Sequence, residues 1–151
     1  MPYPLSLHGK APSELSDVQS TLDRIETALR EAKARDVKRE GESIRFKGSF
    51  MSRRFGGSVL TVVSWGTIRV ARTDSGVQAE YGLHFLRNHL VRGAVSAAAF
   101  GAIYFGVKTA DLALTVAAGT AFWVLLASLD YMLAATLFPR YLASKLMILN
   151  D

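Results

Sequence analysis

Two long, nearly uncharged stretches, from about His89 to Val107 and from about Leu112 to Phe138, constrain this chain more than any other feature. Residues 93–151 hold three Lys and Arg against three Asp and Glu, whereas residues 1–92 hold fifteen against ten, so the whole net charge of +5 precedes Gly93. Between Arg92 and Lys108 lie 15 uncharged residues, enough for roughly 22 Å of helix against a hydrocarbon core of ~30 Å. The second stretch has 18 uncharged residues between Asp111 and Asp130, Phe122 and Trp123 among them. Arg92 and Lys108 can snorkel outward from the ends of the shorter stretch. Residues 87–138 are therefore expected to form a transmembrane helical hairpin turning at "KTAD".

Short-loop basic residues set its orientation. Arg87 and Arg92 precede the first span, Arg140 and Lys145 follow the second, and the connection offers only Lys108, so both termini are expected in the cytoplasm. The opening "MPYPLSLHGKAPSELSD" has no apolar run of signal-peptide length, which argues against a cleaved export signal. After Pro139, residues 139–151 are expected either to lie in the interface as a short amphipathic helix or to extend the second span into the cytoplasm.

Ahead of the hairpin, residues 1–12 contain Pro2, Pro4, Gly9 and Pro12 and are read as an irregular lead-in. From Leu15 the apolar positions Leu15, Val18, Leu22, Ile25, Leu29 and Ala32 alternate three and four apart, one stripe of a helix running to about Arg35. Ser16 with Gln19 fits a capping box at its start. Four strands are expected next, at Glu42–Phe50, Ser58–Trp65, Thr67–Arg72 and Val77–Phe85. The "TDSG" at 73–76 joins the last two as a hairpin. The fold class is thus α+β: residues 13–86 form a cytoplasmic module, a helix packed on a four-stranded antiparallel meander, fixed to the C-terminal hairpin.

Few residues suggest chemistry. Asp130 is the one acid deep in an apolar run, and folding the hairpin about its loop brings it near Arg92. An intramembrane carboxylate raises a proton or ion relay, but no further acid extends a path, and a structural Arg92–Asp130 pair is the preferred reading. Ala94, Ala98, Ala102 and Gly106 form a small-residue ridge on the first span with Gly93, Ala97 and Gly101 as its neighbour, and Ala113, Ala117 and Ala121 offer a matching one on the second. Such rows let helices approach closely in lipid. They are expected to pack on each other, on a partner helix, or on another copy. In "FMSRRFGGS", Arg53 and Arg54 either contact anionic lipid or sit in a solvated turn.

There is no cysteine, and His8, His84 and His89 form no metal-binding pattern. Neither a nucleophile elbow nor a phosphate-binding glycine motif occurs. Basic residues are dispersed among acids rather than gathered in a stripe, which disfavours nucleic acid. No catalytic residue, cofactor or metal is therefore assigned.

The order of parts, a short helix, "IRFKGSF" at 44–50, "SWGTIRV" at 64–70, "EYGLHF" at 80–85 and then two spans, resembles a loose group of small bacterial two-span membrane proteins with an N-terminal α-ββββ module. The resemblance implies the inner membrane and brings no activity or catalytic residue with it. The expected role is a non-enzymatic accessory subunit or scaffold, in contact with membrane lipids and with an integral-membrane partner or further copies of itself. An anionic-lipid or small-molecule sensor and a toxin-neutralising or membrane-perturbing protein are the alternatives.

Overall fold

The computed structural model describes residues 6–48, 59–74, 76–107 and 111–147. Its elements are strand β1 (Ser6–Ser13), helix α1 (Val18–Glu31), strands β2 (Arg35–Glu40), β3 (Ser43–Lys47), β4 (Trp65–Thr73) and β5 (Gly76–His84), and helices α2 (Leu86–Gly106) and α3 (Leu112–Leu146). The strands make one antiparallel five-stranded sheet in the order β1-β5-β4-β3-β2.

The period-two pattern sorts the sheet into two faces. Ile44, Phe46, Ile68, Val70, Val77, Ala79, Tyr81 and Leu83 are buried beneath the helices. Lys10, Arg45, Lys47, Arg69 and Glu80 alternate with them on the open face, where Lys10 pairs with Glu80 and Lys47 with Asp36, each at 2.7 Å. The α1 stripe buries Leu22, Ile25 and Leu29. Its cap is Asp17, whose carboxylate accepts from the Ser20 amide at 2.8 Å, in place of the box expected at Ser16. That hydrogen bond holds the Asp17 carboxyl below the usual carboxylate range.

Three expectations for this region are corrected. Ser6–Ser13, read as far as Pro12 as part of an irregular lead-in, is an edge strand paired with β5 from Val77 to His84. Its Pro12 is tolerated because an edge strand needs only one row of hydrogen bonds. Arg35–Glu40, read as the end of a helix and a link, is the opposite edge; Lys33, at positive φ, ends the helical path before it, and Asp36, also at positive φ, sits where the β2–β3 register shifts. The segment expected as a strand at Ser58–Trp65 contains a single 3-10 turn, Val59–Thr61. There Leu60 and Val63 are fully buried, so its apolar character on both faces reflects a buried connection rather than a central strand.

The long helix changes the architecture most. α3 runs unbroken through Pro139 to Leu146, and Ala134, Phe138, Leu142 and Leu146 join the core of the sheet. The Tyr81 and Phe138 rings meet edge-on, 5.0 Å apart. The Tyr141 hydroxyl donates to the Ala28 carbonyl at 2.7 Å, and Lys145 lies 3.1 Å from Glu31. The sheet therefore carries two helices on one face, α1 and the second half of α3. The meander with one helix is replaced by a five-stranded sheet with two.

Candidate functional site at the root of the helical hairpin

α2 follows β5 after a single residue, Phe85, whose ring is buried. The Ser64 hydroxyl accepts from the Arg87 amide at 2.9 Å, and the Asn88 side chain donates to the Thr61 carbonyl at 3.1 Å. These bonds tie the first turn of α2 to the buried connection beneath it. The helix then packs antiparallel on the first half of α3.

Arg92 and Asp130 are brought together, with Nη2 2.7 Å from Oδ1. The Asp130 side chain is 5% exposed and that of Arg92 32%. Oδ2 of Asp130 is buried and meets no donor among the described residues. His89, one turn before Arg92, is also buried, and its carbonyl accepts from Trp123 Nε1 at 3.1 Å. Higher in the hairpin, the buried Ser96 hydroxyl donates to the Gly119 carbonyl at 2.8 Å. A Cβ on Gly119 would stand 3.2 Å from the Phe100 ring, so this glycine allows the close approach.

The face of α2 toward α3 is thus His89, Arg92, Gly93, Ser96 and Phe100, a Cβ on Gly93 standing 3.4 Å from Trp123 Nε1, and the ridge that begins at Ala94 lies elsewhere. Ala94, Ala98, Ala102 and Gly106 are exposed, as are Ala113, Ala117 and Ala121 on α3. The expectation that these ridges pack on each other is corrected. At 100° per residue Ala98 points directly away from the side that carries Ser96 and Phe100. Ser96, Gly119 and Trp123, which build the interface, were not singled out from sequence. The available signal was Ser96, one of two residues with a hydroxyl between Arg92 and Lys108.

Asp130 marks the joint of the long helix. Before it, α3 exposes Leu112, Leu114, Val116, Phe122, Leu125 and Leu129; after it, Tyr131 faces the Phe85 ring at 6.1 Å and one side of the helix enters the core of the sheet, while Met132, Leu133 and Leu137 stay exposed on the other. Among the described residues α3 is the one helix long and apolar enough to cross a membrane. α2 falls short of that by composition, since Arg87, Asn88, His89 and Arg92 occupy its first two turns. Comparison with protein-family models, curated proteins and solved structures returns no match. What the chain does must therefore be argued from its own residues.

Arg53 and Arg54 lie outside the described residues. On the open sheet face a shallow cleft of about 400 Å³ lies over Gly82, lined by His8, Lys10, Thr67, Arg69 and Glu80. The Lys10–Glu80 pair neutralises much of its charge, and Lys10 holds the Glu80 carboxyl below the usual range. Among the described residues no group of three or more metal-ligating side chains occurs. The arrangement at the hairpin root is suited to fixing two helices and a sheet in one geometry: one charge pair, three carbonyl acceptors and close-packed rings.

Proposed function

We propose that this chain is a non-enzymatic accessory subunit or scaffold, held at the cytoplasmic face of a bacterial inner membrane by the α2–α3 hairpin. In this reading α2 enters the bilayer beside α3, with its polar first turns in the headgroup layer and both termini cytoplasmic. From Leu112 to Asp130 is roughly 27 Å of helix, close to the thickness of a hydrocarbon core. Of the large apolar side chains that stay exposed among the described residues, all but Trp65 lie between residues 86 and 147. A water-soluble domain rarely leaves so continuous an apolar surface uncovered.

The observation that carries the subunit role is the unused ridge. Ala94, Ala98 and Ala102 are exposed on the side of α2 away from α3. Lipid gives no hydrophobic drive to pair helices, and small side chains permit the close backbone packing that does. The occupant is the transmembrane helix of another subunit or of a second copy. A photoreactive benzophenone side chain at position 98, activated in native membranes, is expected to yield one discrete protein adduct. The same group at position 114 on α3 is expected to yield lipid adducts. Lipid adducts alone at position 98 would contradict the subunit role.

A further inference from the structure

Among the described residues, Trp65 is the exposed large apolar side chain that the hairpin does not account for, at 44% exposure. It opens β4 directly opposite His84, the last residue of β5, and the two rings stack 3.6 Å apart at 11°. Burial, with the neighbouring His8 adding to it, pushes the His84 imidazole below its ordinary range, so the support under Trp65 is uncharged at neutral pH. Two residues after His84, Leu86 begins α2, and Leu86, Leu90 and Val91 are all exposed. Trp65 thus stands at the end of the sheet from which α2 rises. From Leu86 to Arg92 is roughly 9 Å along the helix axis, on the scale of a headgroup layer.

We propose that Trp65, held flat on His84, inserts into the headgroup layer of the leaflet that the hairpin enters, and so fixes the tilt of the sheet against the bilayer. Its partner is lipid at the glycerol level, where the indole ring buries its apolar body and keeps its N–H wet. The stack on His84 limits the ring to one orientation, so little rotamer freedom is lost on insertion. The hairpin and the module are one body at the root, and a third contact beside it limits how that body tilts in the bilayer.

This inference rests on the hairpin being in the membrane, and the chain contains the means to separate the two. It has two tryptophans, Trp65 and Trp123. Trp123→Phe leaves Trp65 as the reporter, Trp65→Phe leaves Trp123, and Trp123→Tyr gives a second background should the first fold poorly. The full chain is placed in phosphatidylcholine vesicles carrying bromine either high on the acyl chains, beside the glycerol, or near the chain ends. Trp65 is expected to lose most of its emission to the shallow bromine and little to the deep one; Trp123, whose indole reaches the His89 carbonyl at the foot of α2, is also expected to respond chiefly to the shallow bromine and so reports whether the hairpin is in the bilayer. If Trp123 is quenched and Trp65 responds to neither, or mainly to the deep bromine, the inference is overturned while the hairpin remains in the bilayer. If neither tryptophan responds, both readings fall.

Discussion

Replacing Phe138 by alanine is expected to cost about 3–5 kcal/mol and to loosen the whole sheet, not the hairpin alone. Phe138 is fully buried, stacked edge-on against Tyr81, with Ala134 and Leu142 one turn to either side. Its removal empties the centre of the layer between α3 and the sheet. Against a total stability of about 5–15 kcal/mol for a domain of this kind, the loss is large. Amide exchange in β5 and β1, measured in detergent micelles, should accelerate by orders of magnitude. Phe105→Ala is the control, because Phe105 is 88% exposed on α2 and touches none of that core. Unchanged protection of β5 in Phe138→Ala would mean that the long helix is an anchor joined to the module rather than part of it.

The second large effect is an asymmetry between the two halves of the ion pair. Arg92→Leu strands the Asp130 carboxylate, which is 5% exposed and already has one oxygen without a donor. Leaving a buried charge uncompensated costs about 3–5 kcal/mol. Asp130→Asn removes the charge that cannot reach water and leaves the one that can, since Arg92 is 32% exposed on a long stem and able to swing outward. Its cost should be distinctly smaller. The double variant Arg92→Leu/Asp130→Leu should return close to the parent, as buried pairs replaced by apolar residues of similar volume often do. A double-mutant cycle on denaturant unfolding of the hairpin in micelles reads all three. Equal losses from the two single changes, or a double variant as unstable as Arg92→Leu, would show that the pair does not clamp the joint.

How much of this was legible in the sequence depended on the contrast between the faces of each element. β3, β4 and β5 alternate apolar and polar residues, and the pairing of Arg92 with Asp130 followed from folding the hairpin about its loop. β2 escaped notice because "RDVKRE" has charge on both faces, as suits an edge that must not pair further. β1 was obscured by Gly9 and Pro12, residues that normally punctuate strands but that an edge position tolerates. The segment from Val59 to Ser64 places apolar residues side by side, Val59 with Leu60 and Val62 with Val63, and hydropathy does not separate a central strand from a buried turn. The same ambiguity governs α3. Both halves are rich in apolar residues, but the first turns them to open surface while the second turns Ala134, Phe138, Leu142 and Leu146 to the core of the sheet, and hydropathy does not separate the two. For the ridges, four-residue spacing identified where helices can approach closely without saying which face meets the neighbour already present in the chain.

The measurement closest to the central claim, that the hairpin's open apolar surface is solvated by lipid, uses the absence of cysteine from the chain. Leu125→Cys places a single nitroxide label on the exposed side of α3, in the full chain reconstituted into vesicles. Collision with oxygen, which concentrates among acyl chains, is expected to exceed collision with a water-soluble nickel chelate by a wide margin. A label at Leu125 that meets the nickel chelate more readily than oxygen would contradict the account.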